Sequence, residues 1–206
     1  MVHDPTHLFE GQVSPGTTRF AKIVSFIFQA PFISIPVFIA LNMQASDTAM
    51  FAISTVICLL TATVIPVVTV QYFSVKFNND DGDIVRRADR FLPLVCGTAS
   101  YLLGYVLMLL VGAPAVSTTL MLCYVLCTGL IILISRYWKI SIHSTGLMGP
   151  TIALAYAYGP VFLLILLFLP IIAYGRYVLR KHTPAQLVGG ACFGTVVTLL
   201  TFAIML

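Results

Sequence analysis

Apolar residues run along most of this chain without alternation, and polar residues are gathered into a few short stretches. A run of about 20 apolar residues is long enough to cross a bilayer as a helix. The pattern predicts such segments at roughly 21–42, 49–75, 91–112, 116–135 and 185–206. Between them lies 146–174, an apolar run interrupted by Gly159-Pro160. Proline removes a backbone donor and disfavours helix at the residue before it. Two short helices meeting in a tight turn, about 145–158 and 160–175, are therefore expected, each shorter than a full span. That makes seven crossings, six if the two short helices merge into one. Residues 1–18 lack a basic start followed by an apolar stretch, and they read as a polar N-terminal tail rather than a signal peptide. Residues 19–206 read as a single membrane-embedded, all-α domain.

Composition agrees with that pattern. Of 206 residues, 59% are hydrophobic and 9% charged, against about 25% charged in soluble domains. Mean hydropathy is +1.01. The five cysteines lie in apolar segments without metal-ligand spacing and read as packing residues. The net charge of +4 suits an anionic membrane surface or an anionic ligand, and the basic residues are too confined to segment ends to suggest nucleic acid.

The positions of the charges carry the functional information. All 11 Lys and Arg residues fall in four polar places: Arg19 and Lys22, the stretch 76–90, the stretch 136–145 and the stretch 176–184. With seven crossings these share one side, which the positive-inside rule makes cytoplasmic. The other side holds only Asp47 among charged residues. Arg86, Arg87 and Arg90 then face Lys139, Ser141 and His143, and both groups face Arg176, Arg180, Lys181 and His182, with Gln186 one turn on. Merging the two short helices would separate His143 from His182 across the membrane. Metal-free phosphoryl hydrolysis needs fixed positive charge around the phosphate oxygens, a nucleophile and a proton donor for the leaving oxygen. Guanidinium forks and two imidazoles supply all three, and helix N-termini near Thr145 and Pro184 would add anion-binding N–H groups.

Arg176-x5-His182 has the spacing of the third motif of the type 2 phosphatidic acid phosphatase family, S-R-x5-H-x3-D, written in this chain as Gly175-Arg176-x5-His182-x3-Gln186. The second motif, P-S-G-H, is matched by Ile140-Ser141-Ile142-His143, and the first, K-x6-R-P, loosely by the stretch ending Arg90-Phe91-Leu92-Pro93, with Asp83 at the lysine position. About half the chain, 83–186, resembles that family. The resemblance implies a phosphatase-like helical bundle acting on a lipid monophosphate or diphosphate, phosphatidate-type or polyprenyl, with no metal or other cofactor. It implies His182 as the nucleophile that becomes a phosphohistidine, His143 as the general acid, and Arg176, Arg90 and Ser141 as phosphate ligands, with Arg86, Arg87 or Lys139 supplying further charge. Gln186 would orient His182 in place of the family's aspartate, without that carboxylate's charge.

Two rival readings follow from particular residues. Asn79-Asp80-x-x-Asp83 matches a fragment of the aspartate-rich segments with which intramembrane prenyltransferases hold Mg²⁺ and a diphosphate, although no second such segment exists here. Gln186 and Asp83, standing where the family has other residues, fit a non-catalytic phospholipid-binding membrane protein.

Overall fold

The computed structural model describes residues 8–77, 84 and 88–206. The candidate phosphate ligands Arg86 and Arg87, and the acidic residues Asp80, Asp81 and Asp83, lie outside the described residues. Within them the chain is a helical bundle with no strand. Nine α-helices follow in order: α1 (Pro15–Ile27), α2 (Ala30–Asn42), α3 (Thr48–Cys58), α4 (Ile65–Lys76), α5 (Phe91–Val111), α6 (Ala115–Ile134), α7 (Ile142–Tyr158), α8 (Leu169–Val178) and α9 (Pro184–Met205). A π-helical segment, Leu59–Val64, joins α3 to α4, and a 3₁₀ segment, Pro160–Phe168, leads into α8.

Five of these helical rods are long and apolar enough to cross a membrane, and six if α1 and α2 count as one span. The chain is thus a multi-pass membrane bundle. The segment expected at 21–42 is broken: α1 and α2 meet at a 44° bend. Pro31 sits at the start of α2, and the amide of Gln29 turns back to Phe26 O rather than continuing the helical ladder. α1 also begins at Pro15, with Ser14 as its cap, three residues before the polar tail was expected to end. Phe9 packs edge-on against Tyr177, with ring centroids 5.4 Å apart, so part of that tail is docked.

The turn at Gly159-Pro160 is where the sequence puts it. Gly159 has φ 106° and ψ 167°, a conformation open to glycine because it has no Cβ. The rod that follows differs from expectation. Residues 160–178 form one 19-residue span, and its 3₁₀ half rises about 2.0 Å per residue against 1.5 Å in an α-helix, giving about 33 Å, enough for the hydrocarbon core. α7 has 17 residues, and it runs from His143 at one end of the bundle to Tyr158, whose hydroxyl donates to Ala40 O near the end of α2.

The π segment has a local cause. Pro66 lacks the N–H that carbonyls one turn earlier would use. Ser100 Oγ donates to Thr61 O at 2.6 Å, and Ser34 Oγ lies 3.4 Å from Ala62 O. Serine hydroxyls meet in this way the carbonyls that lipid would leave unsatisfied. Thr63 Oγ1 in turn lies 2.7 Å from Ser34 Oγ and donates to Pro31 O at 3.0 Å. The start of α2 is thereby clasped to the π segment. The core below it is apolar, with Phe38, Leu41, Met108, Leu120 and Met121 fully buried.

Two glycines set the distance that matters for the site. A Cβ on Gly190 would lie 2.5 Å from Ser141 O, and one on Gly194 would lie 2.8 Å from Thr145 O. Only glycine permits α9 to lie this close to the start of α7. Ser141 N donates to Gln186 O at 3.2 Å, and the Thr145 hydroxyl lies 2.9 Å from Gly190 O. The histidine stretch before α7 and the one before α9 are drawn together at one end of the bundle.

Candidate functional site

The spacing Arg176-x5-His182 is built from two helix caps back to back. α8 ends after Arg176, and the chain reverses through Arg180, which has φ 57°. Arg180 N donates to Tyr177 O at 2.9 Å and Lys181 N to Arg176 O at 3.0 Å. These are the two bonds of a Schellman motif, with arginine standing at the left-handed position that glycine usually fills. His182 N then also points to Arg176 O, at 3.3 Å. Thr183 immediately opens the next helix: its Oγ1 accepts from Gln186 N at 3.3 Å, and Gln186 Oε1 accepts from Thr183 N at 3.2 Å. This reciprocal pair is a capping box. The two caps hold the His182 backbone against Arg176 O in the last turn of α8.

The second histidine is held differently. α7 starts at Ile142 rather than near Thr145, with Ser141 as its cap, so His143 lies in its first turn. His143 Nε2 lies 3.0 Å from Ser25 O. A carbonyl oxygen only accepts, so Nε2 carries a proton and donates it. Ser25 O is available because the α1–α2 bend sends the amide of Gln29 to Phe26 O instead. Arg90, just before α5, completes the group. Its Nε donates to Ile84 O at 2.9 Å and one terminal nitrogen donates to Ile140 O at 3.4 Å. Backbone carbonyls thus fix the guanidinium, and Arg90 as a whole is 4% exposed.

Arg90, His143, Arg176 and His182 all line one cavity of about 260 Å³. His182 is 1% exposed, and neither of its ring nitrogens has a hydrogen-bond partner among the described residues. Burial first, and then the positive charges of Arg176, Arg90 and Lys139 and the nearby His143, push its pKa well below the usual 6.5. The imidazole is therefore neutral at pH 7, with a lone pair available. Fixed positive charge thus stands beside a neutral imidazole whose nitrogens have no hydrogen-bond partner among the described residues, an arrangement with which an anion could pair.

Other expected site residues stand elsewhere. Ser141 is fully buried, and its Oγ accepts from Ser144 N at 3.3 Å; it caps α7 and is not on the cavity wall. Lys139 Nζ donates to Lys181 O at 2.6 Å, tying the two polar stretches together, and it acts on the cavity through its charge. Gln186 was expected to orient His182, but its side-chain oxygen is engaged at the Thr183 amide and the His182 ring has no hydrogen-bond partner among the described residues. The sequence reading missed the Ser25 and Ile84 carbonyls, which hold His143 and Arg90. It also missed the cavity's apolar side, which includes Phe26, Phe32, Val67 and Val70. Among the described residues no three His, Cys, Asp or Glu side chains come together as a metal site. Comparison with protein-family models, with curated proteins and with solved structures finds no match.

Proposed function

We propose that this protein is a membrane phosphatase acting on a lipid phosphate, with chemistry like that of the type 2 phosphatidic acid phosphatase family. The observation that carries the reading is the convergence of Arg90, Arg176, His143 and His182 on one cavity whose other lining residues are mostly apolar. An anionic head fits the first part and a hydrocarbon tail the second. In this mechanism a neutral nitrogen of His182 attacks phosphorus, a P–N bond forms, and the P–O bond to the lipid breaks. The leaving oxygen takes a proton from His143. Because Nε2–H of His143 is directed at Ser25 O, that proton comes from Nδ1 of the doubly protonated ring. Water, deprotonated by His143, then cleaves the P–N bond and releases inorganic phosphate. Arg90 and Arg176 neutralise the phosphate oxygens throughout. The charged end of the bundle faces the cytoplasm of the cell membrane by the positive-inside rule.

The test is phosphate release from lipid phosphates by the purified protein in detergent, with chelator present. Release by the wild type and none by a folded His182→Ala variant supports the reading. Equal release by both, or dependence on added Mg²⁺, overturns it. A second reading, a phospholipid-binding protein without turnover, is favoured by one observation: among the described residues no carboxylate or amide is hydrogen-bonded to the His182 ring. It predicts lipid-phosphate binding that His182→Ala weakens, without any release.

A further inference from the structure

The cavity is more than a pocket for a phosphate. At the Ser34–Thr63 clasp, α2 and the π segment are held together. Beyond it, toward the charged end, the two chains part. The 44° bend turns α1 toward α8, where Ala21 backs Gly175 and the Phe28 and Phe168 rings lie 5.1 Å apart. α4 continues along α5 instead. The cavity is lined from both helices, by Phe26 of α1 and by Val67 and Val70 of α4. Two backbone irregularities, a bend and a π segment, therefore create a gap on the membrane side of the arginine–histidine cluster.

Two amides stand in this otherwise apolar gap. Gln29, at the bend, and Gln71, on α4, both line the cavity. Neither side-chain amide has a hydrogen-bond partner among the described residues. Gln71 lies five residues before the end of α4 at Lys76, about 7.5 Å below it along the helix. That depth is just beneath the headgroup, where a glycerolipid carries its hydroxyl or ester oxygens. An unpartnered amide facing hydrocarbon is costly. A ligand that brings oxygen atoms to that depth would satisfy it.

We infer that Gln29 and Gln71 form an uncharged recognition subsite for the oxygen-bearing linker between phosphate and chains. The site then favours glycerolipid phosphates over polyprenyl phosphates, which offer only hydrocarbon at that depth. This rests on the lipid-phosphate reading above and adds the selectivity to it.

The experiment compares a glycerolipid phosphate with a polyprenyl phosphate, in the same detergent, for binding and for phosphate release, with the wild type and with Gln29→Leu, Gln71→Leu and the double variant. The wild type is expected to prefer the glycerolipid about tenfold, and the double variant to bring the ratio near one, about threefold per amide. Handling of the polyprenyl phosphate is retained or improved, since leucine meets hydrocarbon without an unmet amide, and an unshifted thermal unfolding transition in detergent reports that the variants are folded. An even or inverted preference in the wild type, or a ratio that neither variant moves, overturns the inference and leaves the lipid-phosphate reading standing. If the wild type neither binds nor hydrolyses either lipid, the lipid-phosphate reading fails, and the inference with it.

Discussion

The two histidine stretches sit on the same cavity and are built in opposite ways. His143 stands in the first turn of α7, with Nε2–H fixed on the Ser25 carbonyl. His182 stands between two caps, with its backbone tied to Arg176 O and its ring nitrogens without hydrogen-bond partners among the described residues. One ring is anchored through its own nitrogen. The other is positioned by backbone alone and keeps both nitrogens for a ligand. In the proposed mechanism that difference would suit the anchored ring to proton transfer through Nδ1 and the other ring to nucleophilic attack, for which a lone pair must stay available.

The strongest way to break the comparison is to remove each ring. His182→Ala is expected to lower phosphate release at least about 10³-fold while leaving thermal stability nearly intact or raised, since it deletes a buried group with no hydrogen bond. His143→Ala is expected to lower release about 10²- to 10⁴-fold and also to cost about 1 kcal/mol, because the Ser25 carbonyl loses its donor. Thermal unfolding in detergent beside a phosphate assay separates the two. Equal stability losses in both variants would erase the distinction.

A pH titration sharpens it. His182 has a folded pKa well below 6.5, so the unfolded chain takes up a proton there before the native one does. Stability therefore falls as pH drops below about 6.5, by up to about 1.4 kcal/mol per pH unit until the folded pKa is reached, and above about 6.5 the group contributes no slope. His182→Gln should remove that part of the slope. An unchanged acid profile would mean that the ring is not held neutral by its surroundings.

A smaller effect distinguishes capping from orienting. Thr183→Ala and Gln186→Leu should each destabilise by about 1 kcal/mol through the lost capping box, with phosphate release per folded molecule changed only a few-fold. A loss of several powers of ten in Gln186→Leu would restore the orienting role. The smallest effect expected is at Arg180. Arg180→Gly relieves the left-handed backbone at φ 57° and should raise stability by about 0.5 kcal/mol, with the site unchanged.

Much of the bundle is legible in the sequence because lipid imposes a simple rule on it. Apolar length marks α5, α6 and α9 to within a residue or two, and Gly159-Pro160 marks the turn. The bend between α1 and α2 is not legible as hydrophobicity, since both sides of it are equally apolar; only Pro31 hints at it. The 3₁₀ stretch, which lets residues 160–178 reach across, leaves no compositional trace. At the site, Arg176-x5-His182 is legible because the spacing of two abutting caps is short and local. The anchors of His143 and Arg90 are backbone carbonyls from distant segments, and carbonyls have no sequence signature. Thr183-x-x-Gln186 carries two meanings at once, a cap and a histidine partner. The backbone amide takes the glutamine because it lies in the same turn and is buried with it, where an unmet donor is costly.

The most direct test of the account is to look for the covalent intermediate. Rapid mixing of the protein with a phosphate-labelled glycerolipid phosphate, followed by an alkaline quench and mapping of the labelled peptide, should place an acid-labile, alkali-stable phosphate on His182, absent in His182→Ala. Turnover with the label on any other residue, or with no label on the protein at all, would contradict it.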